Sequence, residues 1–182
     1  MEFFGKHRLV PHPEMRPLSV RSVEVEVSRL NDGVMLRYAV EPADDLVLSD
    51  FQTERRDNLW RGTCFELFIR PPSGSYVEFN FAPLFAWNAY SFTDWRIGRR
   101  PFQLDAWPHM SDSRLDDRKA SFPIRYALDV ILGAEIATLA PAKVSIAAII
   151  EEEGGKMSYW ALAHPPGQPN FHHPDCFVAS LA

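Results

Sequence analysis

The sequence is short of cysteine, of long apolar runs and of helical period, and each shortage excludes something. Only Cys64 and Cys176 occur in 182 residues. One disulfide is arithmetically open, but two cysteines do not make a disulfide scaffold, and two free thiols are expected. No apolar stretch approaches the roughly 18 to 20 residues of a membrane helix. Residues 1–21 are broken by His7, Arg8, His12, Glu14 and Arg16 instead of carrying an apolar signal core. Membrane insertion is therefore not expected. The default location is cytoplasmic, with secretion left open because a removed leader leaves no trace in the sequence. Positive charge is also scarce: 19 Lys and Arg against 24 Asp and Glu give a formal charge of -5. Counterion release from a polyanion needs clustered cations, so nucleic acid is not an expected partner. There is no glycine-rich phosphate loop, no CxxC pair, no G-x-S-x-G elbow and no H-E-x-x-H helix.

What is present suits β structure. The hydrophobic fraction is 46%, with 13 Phe, 5 Tyr and 5 Trp, enough for a core and an aromatic recognition surface together. Fifteen prolines punctuate the chain too often for a helix bundle, since each removes a backbone donor and fixes φ. The length suits one domain, residues 1–182, with one continuous core.

Strict alternation marks the strands. Val23, Val25 and Val27 interleave with Glu24 and Glu26; Asn31-Asp32-Gly33 supplies a turn; Val34, Leu36, Tyr38 and Val40 return as a hairpin. Phe65, Leu67 and Ile69 alternate with Cys64, Glu66 and Phe68. After the turn Pro71-Pro72-Ser73-Gly74, Val77, Phe79 and Phe81 alternate with Tyr76, Glu78 and Asn80. A strand over residues 87–93 puts Trp87 and Ala89 on one face and Asn88 and Tyr90 on the other. Further strands are expected at 46–50, 121–128, 143–151 and 159–162, and one more, of unassigned position, within 96–118. Residues 52–58 read as a loop without a core anchor, 129–139 as one or two helical turns, and the Pro-rich coil 164–175 as packed against the domain. Many short strands with almost no helical period predict an all-β, two-sheet antiparallel sandwich, as a jelly roll or an immunoglobulin-like arrangement.

The densest polar and aromatic cluster is Trp60, Arg61, Glu66, Glu78, Asn80, Trp87, Asn88 and Tyr90. A sugar site needs an apolar plate for C–H faces and fixed donors and acceptors for hydroxyls, and these side chains supply both. The same residues also suit a structural role, aromatics in the core and carboxylates paired with arginines. Glu66 and Glu78 on neighbouring strands invite comparison with a glycosidase pair, which requires one strongly shifted carboxyl. His164, His172, His173 and Asp175 are the only local set resembling metal ligands, but their spacing matches no strong motif, and neither a metal nor another cofactor is expected.

The runs Leu59-Trp60-Arg61-Gly62-Thr63-Cys64-Phe65-Glu66-Leu67-Phe68-Ile69 and Tyr76-Val77-Glu78-Phe79-Asn80-Phe81-Ala82-Pro83, with Trp87-Asn88-Ala89-Tyr90, resemble the DOMON-like superfamily. The likeness is greatest to an uncharacterised bacterial branch related to family 9 carbohydrate-binding modules. It implies a β-sandwich whose relatives bind sugars, haem or other small molecules, with Trp60 and Trp87 as the nearest counterparts of sugar-gripping aromatics. The function expected is non-enzymatic binding of a carbohydrate or carbohydrate-like small ligand. The alternative is a structural or protein-interaction sandwich, with haem or metal binding and glycoside hydrolysis behind both.

Overall fold

The computed structural model describes residues 1–48, 50, 53–116 and 123–182. Thirteen strands among these form two antiparallel sheets. In chain order they are β1 (Gly5–Arg8), β2 (Val10–Pro11), β3 (Ser22–Leu30), β4 (Gly33–Glu41), β5 (Cys64–Arg70), β6 (Tyr76–Phe81) and β7 (Trp87–Phe92), then β8 (Arg100–Pro101), β9 (His109–Leu115), β10 (Arg125–Leu132), β11 (Ala142–Glu152), β12 (Lys156–Ala161) and β13 (Ala179–Leu181). The smaller sheet has the order β1-β3-β4-β10-β9. The larger runs β2-β12-β11-β5-β6-β7-β8, with β13 also paired to β11. The fold is an all-β sandwich with almost no helix. Among the described residues no helix is long and apolar enough to cross a membrane.

The alternating rows meet between the sheets. Val23, Val25 and Val27 of β3 and Val34, Leu36, Tyr38 and Val40 of β4 share one buried cluster with Phe65, Leu67 and Ile69 of β5 and Val77, Phe79 and Phe81 of β6. Tyr38 crosses the interior, its hydroxyl donating to the Glu66 carbonyl at 3.1 Å and its ring lying 4.9 Å from Phe65.

The two outer faces differ, and the difference positions the site. On β3 and β4 the outward residues Glu24 and Arg37 are exposed. On the larger sheet the outward residues Glu66, Phe68, Tyr76, Glu78 and Asn80 are buried. Phe171, Cys176 and Phe177 of the C-terminal segment pack there in a second apolar cluster with Phe68, Tyr76 and Phe92. The Pro-rich tail is held by these rings.

Several expectations are corrected. The strand expected at 46–50 reduces to a single bridge, Leu46 to Glu152, while Ser49 lies outside the described residues. β10 runs through Leu132, so residues 129–132 are not helical. Val130 and Leu132 continue the buried alternation begun by Tyr126 and Leu128, and the chain enters 3-10 turns only at Ala134–Leu139. The strand expected from 121 starts at Arg125, with Ser121 and Phe122 outside the described residues. The irregular stretch 96–118 contains β8 and β9. Loop 52–58, whose Gln52 is also outside the described residues, does carry an anchor. Arg55 donates from Nε to Asn88 Oδ1 at 2.8 Å and from Nη2 to the carbonyls of Ala89 and Phe102 at 2.6 and 2.9 Å.

Both cysteines are buried free thiols. Burial, and behind it the Asp175 charge, pushes the Cys176 thiol up to about 12; burial, then Glu66 and Glu78, raises Cys64 as well. Thiols held protonated are slow nucleophiles. Alkylation of the folded protein is therefore expected to be slow at both positions. Mass spectrometry without reduction should recover two separate peptides, and a cross-linked Cys64–Cys176 peptide would contradict this.

Candidate ligand-binding cleft

The strand register sets two cross-strand rows on the outer face of the larger sheet. Glu66 lies beside Asn80 and Asn80 beside Asn88, while Phe68 lies beside Glu78 and Glu78 beside Tyr90. Glu66 and Glu78 are thus diagonal neighbours on adjacent strands, within reach of each other's charge. Asn80 Nδ2 donates to Glu78 Oε1 at 2.7 Å. The Glu66 carboxyl, on a residue only 3% exposed, hydrogen-bonds no described side chain or backbone group and lines the cleft above it. Burial raises the pKa of Glu66, and the Glu78 carboxyl raises it further against the pull of Arg96. Burial also raises Glu78, outweighing the opposing Asn80 hydrogen bond and the Arg99 and Arg96 charges. Both acids therefore hold protons at pH values where an exposed carboxyl has lost them.

Over this floor stands a cleft of about 430 Å³. Trp60 forms one edge. It sits on the 3-10 turn Leu59–Arg61, entered through Asn58 at φ 64, a left-handed conformation that Asn tolerates. Leu59 is buried with Cys64, Ala82 and Ala86 and pins the turn, leaving the Trp60 indole 40% exposed. The C-terminal coil contributes Pro169, Phe171 and His172 to the lining, and Tyr90, Phe92 and Tyr159 complete its aromatic part. Arg96 and Arg99 enter from the loop between β7 and β8.

His172 is wired to the floor. Its Nδ1 is 2.8 Å from the Tyr76 hydroxyl, which also accepts the Arg96 backbone N–H at 3.1 Å. With the Tyr76 proton given to Nδ1, the ring carries its own proton on Nε2, 3.7 Å from Glu78 Oε2. Burial, then the Arg96 charge, lowers the His172 pKa to about 4, so this contact at neutral pH joins a neutral imidazole to the carboxyl and is not an ion pair.

The residues singled out in the sequence are distributed among the cleft, its surroundings and the core. Trp60, Glu66, Glu78 and Tyr90 line the cleft. Asn80 lies one hydrogen bond behind it. Arg61 is stacked over Trp60 with its guanidinium 5.4 Å from the ring centre. Asn88 is buried and committed to the protein, donating to the Arg56 carbonyl at 2.7 Å and accepting from Arg55; with Asp57 it fixes the Tyr90 hydroxyl. Trp87 points the other way. It belongs to the inter-sheet core, 2% exposed, because it pairs with Phe81 and shares that residue's face. The four metal candidates are dispersed: His164 binds the Val10 carbonyl, His172 lies in the cleft, and His173 caps the turn holding Asp175. Among the described residues no three His, Cys, Asp or Glu side chains gather as a ligand set.

Arg96, Arg99, Phe92, Tyr159 and Phe171 were not singled out as ligand residues. Phe92 was legible, since it shares the parity of Asn88 and Tyr90 along β7. The others reach the cleft from a loop, from β12 and from the tail, and no local pattern signals that convergence.

No family model matches this chain, and no curated protein is significantly similar to it. The fold is shared with the crystal structure of a putative carbohydrate-binding protein from Bacteroides uniformis ATCC 8492. The TM-score is 0.65 at 14% identity, over 96% of this chain and 84% of that one.

The raised Glu66 pKa gives a pH prediction. Its folded value lies above its unfolded one, so the folded state holds more protons between the two, and Glu66 destabilises the protein progressively as pH rises through that window. Glu66→Gln should remove this loss. The stability of the variant relative to the parent, from urea unfolding, is expected to be greater at pH 8 than at pH 5. An equal difference at both would show that Glu66 has an ordinary pKa.

Proposed function

We propose that this cleft binds a small carbohydrate or carbohydrate-like polar ligand and does not transform it. The observation that carries the reading is the carboxyl of the nearly buried Glu66, which hydrogen-bonds to no described residue and opens into a cleft lined also by the exposed Trp60. A carboxyl whose hydrogen-bonding sites the described residues leave open can take a ligand hydroxyl. The indole offers an apolar plate to the C–H face of a sugar ring, while Glu66 and Glu78 supply oriented hydrogen bonds that the plate cannot. The description of the Bacteroides uniformis protein as a putative carbohydrate-binding protein agrees with this reading, as does the DOMON-like resemblance of residues 59–69 and 76–83. Glycoside hydrolysis fits less well: a glycosidase pair flanks the scissile bond, whereas Glu66 and Glu78 are diagonal neighbours on one face of one sheet, both on the cleft floor.

A screen of soluble glycans and small sugars on metal-stripped protein, read by tryptophan fluorescence and calorimetry, tests the proposal. With a sugar found in that screen, Trp60→Ala is expected to weaken binding by about tenfold or more, and Glu66→Gln to weaken it as well. Both variants must unfold cooperatively at a denaturant midpoint near the parent's. A dissociation constant unchanged to within about twofold in both would contradict the proposal.

A further inference from the structure

Two arginines line the cleft, and their setting says more about the ligand. Arg96 has φ 55, an unfavourable conformation for a non-glycine residue, held by its backbone N–H on the Tyr76 hydroxyl and by its Nη2 donating to Asn170 Oδ1 at 3.1 Å. The guanidinium of Arg99 lies over the Tyr90 ring, 5.1 Å from its centre. Neither forms an ion pair with a carboxylate of any described residue, although both face the cleft that contains Glu66 and Glu78. Asp57, the next acid, is already engaged by the Tyr90 hydroxyl at 2.5 Å and by Asn88.

The charges are unequal in kind. A guanidinium keeps its charge at every pH a protein meets. A buried carboxyl can shed its charge by holding a proton. With both acids ionised the lining sums to zero, and with either protonated it is positive; it does not become negative. In a chain whose formal charge is -5 this is a local exception. A cationic ligand would meet two fixed like charges at the rim, whereas an anionic group would meet two guanidinia with free donors and geometry suited to carboxylate or phosphate.

We infer that the ligand is an anionic carbohydrate, its carboxylate or phosphate held at the rim by Arg96 and Arg99 and its hydroxyls turned to Glu66 and Glu78. The inference rests on the carbohydrate reading of the same cleft and adds the charge.

Calorimetry on the parent protein with matched probes tests it: glucose against glucuronate, galactose against galacturonate, and glucose against glucose 6-phosphate. At least one acidic sugar is expected to bind about tenfold or more tightly than its neutral counterpart. The uronate and phosphate arms distinguish which anionic group is taken. Raising the salt from low to high should erode that preference while leaving any neutral-sugar affinity nearly unchanged. Arg96→Gln with Arg99→Gln should abolish the preference, and Arg96→Lys with Arg99→Lys should restore part of it. Neutral sugars binding as tightly as their acidic partners would overturn the inference and leave the carbohydrate reading standing. Failure of every sugar in both this set and the wider screen would overturn both.

Discussion

Leu67→Ala should lower the unfolding free energy by about 2 to 5 kcal/mol. Leu67 is wholly buried at the centre of β5, between Ile146 of β11 and Phe79 of β6 in register. Its inward side chain belongs to the cluster that also contains Val25, Leu36 and Tyr38 from the opposite sheet. Truncation removes the transfer free energy of the lost carbons and leaves a cavity that two hydrogen-bonded sheets cannot easily close. Urea unfolding measures the loss directly. A change below about 0.5 kcal/mol would mean that the site collapses freely or that Leu67 is not in the core.

Glu152→Ala is expected to cost about 1.5 to 3 kcal/mol, for a different reason. Glu152 is fully buried at the end of β11. It accepts from the backbone N–H of Leu18 at 2.7 Å, of Ser19 at 2.6 Å and of Val20 at 3.1 Å, and from the Ser19 hydroxyl at 2.7 Å. One carboxylate thus ties the larger sheet to the segment that leads into β3 of the smaller one. Burial alone would raise its pKa, but the four hydrogen bonds outweigh burial and the net shift is downward. The folded value lies below the unfolded one, so the stabilisation is complete above the unfolded pKa and is lost as pH falls through the folded pKa. Glu152→Gln should keep the volume and lose that acid-side dependence. A Glu152→Ala variant as stable as the parent at neutral pH would refute the clamp.

The paired elements β3 to β7 were legible because each has one inward apolar row, and a period of two is visible in a single sequence. The same rule also separates Trp87 from Asn88 and Tyr90, since neighbouring residues of a strand face opposite ways. Trp87 therefore lies in the core while Tyr90 lines the cleft. Resemblance suggested a gripping tryptophan there, and parity decides the matter. The short strands β1, β2, β8 and β13 have too few residues to show a period. Their pairing is set by long-range contacts. The cleft was legible in its floor, Glu66 and Glu78, and in Trp60. Its walls were not, because Arg96 and Arg99 come from an irregular loop and Phe171 and His172 from a coil whose position depends on Phe68, Tyr76 and Phe92 beneath it.

The chain has five tryptophans, and their indole N–H signals in a two-dimensional 15N NMR spectrum report from distinct places. Trp60 edges the cleft, Trp87 and Trp160 are 2% exposed in the core, and Trp95 and Trp107 are on the surface. On titration with a sugar that binds, the Trp60 signal should shift saturably, while those of Trp87, Trp160 and Trp107 stay in place. A saturable shift at Trp107 with Trp60 unmoved would place the ligand elsewhere and contradict the assignment of this cleft as the binding site.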